Sequence, residues 1–199
     1  MFRLIESIRL EDGEWFNLDY HQQRMDESVF LLSGVKNEIQ LVSLLKKQNL
    51  PGNGKFKCRI VYSDAGIIEI GITPYETRAI TSLKIIHNDT IDYSLKFEDR
   101  TALNNLFAQR NKCDDILIVK NGFVTDASYS NVVFYDGLRW ITPAQPLLKG
   151  TMRQHLLDSR VIHEDAIRVH QIPLFKQVRL INALLGFEGP ELSVSQIVF

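Results

Sequence analysis

Residues Asp114–Arg153, DDILIVKNGFVTDASYSNVVFYDGLRWITPAQPLLKGTMR, carry the reading that decides the fold. Ile116–Val119 is an apolar run rich in β-branched side chains, which favours a strand. Asn121-Gly122 follows, a pair that tolerates positive φ and so predicts a tight hairpin turn. Val132–Tyr135 predicts a second strand, Asp136-Gly137 a second turn, and Leu138–Thr142 a third strand. Pro143 and Pro146 end the pattern, and a helix is predicted to open near Gly150-Thr151. Between the first two strands lies Asp126–Asn131, DASYSN, small and polar, where a plain hairpin does not need such a segment.

Outward from this stretch the chain reads as α+β. Phe2–Leu10 alternates as a strand, Asp12-Gly13 turns it, and Glu14–Phe16 returns. Asp19 is the expected N-cap of a helix with Met25, Val29 and Leu32 on one face, ended by Gly34. A second helix is expected over Asn37–Gln48. Lys55–Tyr62 alternates with Phe56, Cys58, Ile60 and Tyr62 on one face, and strands are expected over Ile67–Thr73 and Ser82–His87. Arg100–Arg110 predicts a helix, and the tail predicts strands at 166–169, 178–182 and 193–199. The expected division is a small N-terminal α+β domain over 1–87, a linker over 88–95, and a larger, barrel-like α+β domain over 96–199. A cleft between two such halves is a common place for a small cofactor.

Composition narrows the function classes. Of the 199 residues, 45% are hydrophobic, and the net charge is -1. That balance offers no strong field for nucleic acid or a membrane surface. No apolar run approaches the ~20 residues needed to span a bilayer, and Met1–Glu6 opens no signal-peptide core. Cys58 and Cys113 lack metal-ligand spacing and read as reduced thiols of a cytoplasmic protein. His155, His163 and His170 give no chelating helix face, so no metal is expected.

The central stretch resembles the fold-type IV pyridoxal-phosphate enzymes, the class IV aminotransferases. That family includes branched-chain and D-amino-acid aminotransferases and 4-amino-4-deoxychorismate lyase. Its pattern G-x-[VI]-x-E-x-x-x-x-N-[IL]-[FW] is matched by Gly122–Asp126 and Asn131–Phe134. Its T-P is matched by Thr142-Pro143, and its L-x-G-[IVT]-x-R by Leu148–Arg153. The usual Glu is Asp126 here. Leu4–Gly13 is similar to the family's L-F-E-T-[IA]-R-V-x-x-G, and His21–Met25 to its H-x-x-R-[LM]. The strand and G-D-G-x segment that typically precede these are lacking, so the resemblance implies a shortened member.

The resemblance implies the two-domain architecture of D-amino-acid aminotransferase, with the cofactor cleft between the halves. It also assigns residues to pyridoxal 5'-phosphate. Lys96, about thirty residues before Asp126, falls at the lysine that condenses with the cofactor's aldehyde and then shuttles protons. An ammonium of pKa ~10.4 is a poor nucleophile, so Lys96 needs desolvation or nearby positive charge, for which Arg100 is a candidate. Asp126 falls at the carboxylate beside the pyridine nitrogen, one methylene shorter than the usual glutamate. Thr151 and Met152 open a helix whose N-terminus suits the phosphate. Arg24 matches the family's phosphate-pairing arginine. Asn182 and Ala183 lie at the turn that usually completes the phosphate site. Without the resemblance these residues read as a solvated lysine, a turn-capping aspartate, an exposed helix arginine and a strand end. Arg59 and Arg78 are further candidates for a substrate carboxylate.

Two details resemble the lyases more than the aminotransferases: Ile181–Leu184 against C-N-A-L, and Gly150–Gln154 against G-I-M-R-Q. The expected activity is release of pyruvate from aminodeoxychorismate, leaving 4-aminobenzoate for folate synthesis. The alternatives are a class IV aminotransferase acting on a branched-chain or D-amino acid, or a degenerate, non-catalytic binding member. The expected partners are a small-molecule amino substrate and a second copy of the chain in a homodimer, with neither nucleic acid nor membrane.

Overall fold

The computed structural model describes residues 2–199; Met1 lies outside them. The chain forms two compact units. The first runs to Glu76 and includes Leu95–Asp99; the second comprises Thr77–Ser94 and Arg100–Phe199. This differs from the expected boundaries of 1–87, 88–95 and 96–199 in two places. The strand at Leu83–His87 belongs to the second unit, because its hydrogen bonds go to strands of that unit. The segment carrying Lys96 belongs to the first, because Leu95 and Phe97 pack into the first unit's core.

The first unit is built on a four-stranded antiparallel sheet in the order β2-β1-β3-β4. Its strands are β1 (Leu4–Glu11), β2 (Glu14–Trp15), β3 (Lys55–Ser63) and β4 (Gly66–Pro74). Asp12 and Gly13 both take positive φ, 49° and 85°, as a two-residue turn between strands requires. Two helices pack on the sheet, α1 (Leu18–Ser33) and α2 (Leu41–Leu45). Leu4, Ile8, Cys58, Ile60 and Tyr62 meet Met25, Val29, Leu41 and Leu45 in one core. Asp19 lies in the first turn of α1 rather than at its N-cap, which is Asn17, and Leu32 points away from the core. The second helix is shorter than expected because residues 37–40 have better partners outside a helix. Gln22 donates to the Ile39 carbonyl and accepts the Leu41 N–H, both at 2.8 Å. Asn37 donates to Asp26 at 2.7 Å and caps the Ile39 N–H with its own side-chain oxygen.

The second unit contains β5 (Leu83–His87), β6 (Asp115–Lys120), β7 (Phe123–Ala127), β8 (Asn131–Tyr135), β9 (Trp140–Pro143), β10 (Ile162–Asp165), β11 (Gln177–Ile181), β12 (Glu191–Ser193) and β13 (Ile197–Val198). They form one path, β10-β9-β8-β7-β6-β5-β13, from which β11 branches to pair with both β8 and β12. The strand expected at 166–169 is instead β10, slightly earlier, followed by a 3-10 turn over Val169–Leu174. The helices are α3 (Thr101–Phe107) and α4 (Thr151–Asp158). The core draws Leu117, Val119, Val124, Val132, Phe134, Val178 and Leu180 from the central strands.

The polar segment 126–131 is half strand. Asp126 ends up opposite Asn131 in the β7–β8 ladder, and only Ser128–Ser130 lie between the strands. Alternation of apolar and polar residues misses β7 because its polar side chains, Thr125 and Asp126, are buried and hydrogen-bonded to groups on other segments. Thr125 donates to the Ile118 carbonyl at 3.0 Å, and Ser128 donates to Asp115 at 2.5 Å. No helix among the described residues is long and apolar enough to cross a membrane.

Candidate active site

In the first unit, β1 places a carboxylate where its sequence phase calls for an apolar side chain. Leu4, Ile8 and Leu10 share a buried face, and Glu6, in the same phase, is fully buried with them. Its charge is answered from α1. Arg24 Nε donates to one oxygen at 2.9 Å, and Arg24 Nη2 donates to the other. His21 Nδ1 lies 2.6 Å from that second oxygen. Burial works to raise the Glu6 carboxyl, but the charges and hydrogen bonds of Arg24 and His21 outweigh it and hold the group down at about 2. His21 is itself lowered, first by burial and further by the charges of Arg24 and Lys96, against the pull of Glu6. It is therefore neutral at neutral pH, with the proton on Nδ1 facing the carboxylate.

Lys96 sits beside this cluster. Its carbonyl accepts the N–H of Ile5, the neighbour of Glu6, at 2.9 Å. Arg24, expected as a phosphate ligand, is thus a guanidinium already oriented by a buried carboxylate. Glu6 and His21 lie inside the motifs Leu4–Gly13 and His21–Met25, whose resemblance assigns a role to neither. The visible signal was a lone acid in the buried phase of β1, and a histidine in phase with Met25 and Val29 on α1.

Breaking this cluster is costly. The Glu6→Gln variant is expected to lose about 3 kcal/mol, because it leaves the half-buried Arg24 charge without its counter-ion. Denaturant unfolding followed by circular dichroism checks this; a loss below ~1 kcal/mol would show that Arg24 finds water instead. The pH dependence has a definite sign. With its folded pKa depressed, Glu6 contributes stability that is present above about 4.5 and is lost as pH falls towards about 2.

The second unit gathers Asp126, Asn131, Thr151, Met152 and Asn182. Asp126 is 5% exposed. One of its oxygens accepts the Asn131 amide at 2.7 Å and the other the Leu148 N–H at 2.9 Å. Burial pushes its carboxyl up to about 6, although those hydrogen bonds and the charge of Arg153 oppose the shift. Asn131 also donates to the Leu148 carbonyl at 2.8 Å, so one amide ties β8 both to Asp126 and to the approach of α4. The same asparagine stands opposite Ile181 in the β8–β11 ladder. Arg153 then anchors α4 by donating to the Pro143 carbonyl and to Glu164, each at 2.9 Å.

Gly150 is required here by close approach. A Cβ at this position would overlap Asn131 Oδ1. Gly150→Ala is therefore expected to displace Asn131 and destabilise the fold by about 1–3 kcal/mol. A melting curve checks it, and an unchanged midpoint would mean that the asparagine yields freely. As N-cap of α4, Gly150 is extended and gives no side-chain cap, so the buried Thr151 and Met152 begin the helix with backbone N–H groups at its positive end.

Asn182 is committed to shaping its turn. Its side-chain oxygen accepts the N–H groups of Leu184 and Leu185 at 2.9 Å, and its amide donates to Ser130 at 3.0 Å. Its place in the site is thus to hold the Ala183 turn against the Ser128–Ser130 loop. That loop is braced from the other side by Asp115, a buried carboxylate held by Ser128 and the Ile116 N–H. Arg100 also belongs to this brace: it donates to the Ser128 carbonyl at 2.6 Å and stacks 4.2 Å from the Tyr129 ring centre. Arg59 and Arg78 are occupied elsewhere, Arg59 with Glu98 and Glu69, and Arg78 with the Asp114 carbonyl.

These residues fit pyridoxal phosphate. A buried acid with spare lone pairs, raised by desolvation, gains from a pyridinium N–H placed against it. A helix N-terminus without a side-chain cap suits a phosphate. Lys96 and Arg24 stand in the first unit; Asp126, Thr151, Met152, Asn182 and Ala183 stand together in the second.

The family model described as "Amino-transferase class IV" matches residues 96–188. The chain is 38% identical over 189 residues to an "Uncharacterized protein" of Haemophilus influenzae, covering 94% of this chain and 100% of the other. It is 31% identical over 173 residues to the "Putative aminodeoxychorismate lyase" of Schizosaccharomyces pombe, covering 78% of this chain and 74% of that one. Among solved structures it is similar to a "putative 4-amino-4-deoxychorismate lyase" from Haemophilus somnus. The TM-score is 0.88 at 37% identity, over 94% of this chain and 98% of that chain. The chain therefore belongs to the class IV aminotransferase family, the pyridoxal-phosphate enzymes of fold-type IV.

Proposed function

We propose that this protein is an aminodeoxychorismate lyase, releasing pyruvate and leaving 4-aminobenzoate. The observation that carries the reading is its likeness, at 37% identity and over 98% of that chain, to a structure bearing the lyase name. Bound pyridoxal phosphate supplies an aldehyde for amines and a ring that takes up the electron pair left at a broken bond.

In this reading Lys96 would hold the cofactor through its amine and, once free of it, would take the proton from the amine-bearing carbon of the substrate. The adjacent carbon releases its enolpyruvyl oxygen, and the enol gains a proton to become pyruvate as the ring left behind becomes aromatic. Asp126 keeps a proton on the cofactor's ring nitrogen. The N-terminus of α4 with Thr151 and Met152, the Asn182–Ala183 turn and Arg24 hold the phosphate. The proposal includes a cytoplasmic homodimer.

The test is product analysis of the purified protein supplied with the cofactor. Equimolar 4-aminobenzoate and pyruvate from aminodeoxychorismate are expected. A keto acid from a branched-chain or D-amino acid, without 4-aminobenzoate, would make the protein an aminotransferase. Absence of any visible absorbance band or borohydride-trapped adduct on Lys96 would make it a non-catalytic binding member.

A further inference from the structure

Leu95–Asp99 belongs to the first unit, while Ser94 and Arg100 on either side belong to the second. Leu95 and Phe97 pack into the first unit's core, and Phe97 bridges to Leu4. Two backbone bonds of 2.9 Å add to them, from Ile5 N–H to the Lys96 carbonyl and from Glu98 N–H to the Arg3 carbonyl. A further tie is ionic. Glu98 engages both of its oxygens: Arg3 Nε lies 2.5 Å from one, and Arg59 Nη2 donates to the other at 2.6 Å. Arg59 in turn lies 3.5 Å from Glu69 on β4. One carboxylate thus fastens the segment to the start of β1 and to β3 at the same time.

We propose that Glu98 is a positioning residue for Lys96, a clamp whose two arginines fix the backbone from which the reactive amine reaches. The inference rests on the proposed role of Lys96. A lysine side chain carries any shift of its backbone out to the amine, and a displacement of about 1 Å at a reacting group costs on the order of 10²-fold in rate. The charge of Glu98 has a second consequence. Left unpaired two residues from Lys96, it would favour the unreactive ammonium; Arg3 and Arg59 offset it.

The test compares wild type with Glu98→Gln, which keeps the shape and drops the charge, and Glu98→Asp, which keeps the charge. Hydrogen exchange of the Ile5 amide and of the residue-98 amide is measured without cofactor. Covalent trapping on Lys96 by borohydride is then timed after mixing with pyridoxal phosphate. In Glu98→Gln, exchange at both amides is expected to speed up roughly tenfold and trapping to slow by ~10–100-fold, with kcat falling more than KM. Glu98→Asp should recover part of both losses while the unfolding midpoint stays near that of wild type. Trapping at the wild-type rate in Glu98→Gln overturns the proposal, even if exchange has quickened. If wild type itself forms no adduct on Lys96, the cofactor reading fails. Exchange alone then decides the clamp, faster exchange supporting it and unchanged exchange removing it.

Discussion

Lys96→Ala is expected to lower turnover by on the order of 10⁴-fold and to abolish the covalent cofactor adduct, leaving the fold intact. The magnitude is the upper end of what one positioned proton-transfer group contributes. The fold should survive because Lys96 ties to β1 through its carbonyl, which alanine retains, and because Leu95 and Phe97 still anchor the segment. Lys96→Arg is the companion variant. It keeps the positive charge but cannot give up a proton near neutral pH, so it should be as inactive as alanine. Single-turnover kinetics with aminodeoxychorismate, and mass spectrometry after borohydride treatment, read both effects. Retention of a tenth of wild-type turnover by either variant would remove Lys96 from the chemistry.

Asp126→Asn is the second large effect, with turnover expected to fall by about 10²–10³-fold, as when one preorganised electrostatic partner is removed. Asparagine offers one acceptor where the carboxylate offers two. It must turn its own amide towards either the Asn131 amide or the Leu148 N–H, and a buried donor left so costs about 1–3 kcal/mol. The pH profile gives a sharper test. The folded protein holds a proton on Asp126 between the ordinary 3.8 and about 6, where the unfolded chain has released it. Stability from this source is therefore complete below pH 3.8 and is lost as pH rises through about 6, amounting to roughly 3 kcal/mol. A pyridinium N–H against the carboxylate offsets that loss. Pyridoxal phosphate should accordingly raise the melting temperature more at neutral pH than near pH 5, and Asp126→Asn should flatten the difference. An equal cofactor effect at both pH values in wild type would separate Asp126 from the ring nitrogen.

Glu6 and Asp126 show how one residue class is set to opposite ends of its range by its surroundings. Both are buried, and burial pushes both carboxyls up. Glu6 meets a guanidinium and an imidazole and ends well below the usual value, at about 2. Asp126 meets an amide and a backbone N–H, with Arg153 acting only through its charge, and stays at about 6. A permanently charged acid suits the fixing of an arginine. An acid that remains responsive near neutrality suits a partner whose own proton matters.

The amino-acid sequence by itself determined most of the secondary structure and named the candidate residues that the second unit holds near one another. Periodicity and turn pairs placed β1, β3, β6, β8 and the opening of α4, because these depend on neighbours a few residues apart. The family resemblance carried by Gly122–Arg153 marked Asp126, Thr151 and Met152, which one continuous run of strands and helix brings together. Tertiary structure alone decided what lies far apart in the chain. β7 goes unread as a strand because its buried hydrogen bonds, to Ile118 and Asn131, are made across strands that periodicity does not see. The second helix is cut short by Gln22 and Asp26, from the helix before it. Leu83–His87 and Leu95–Asp99 exchange their expected units because pairing partners and core contacts, not order along the chain, define a compact body. For the same reason the company of Lys96, with Glu6, His21 and Arg24 nearby and Glu98 held between Arg3 and Arg59, appears only when the chain is folded.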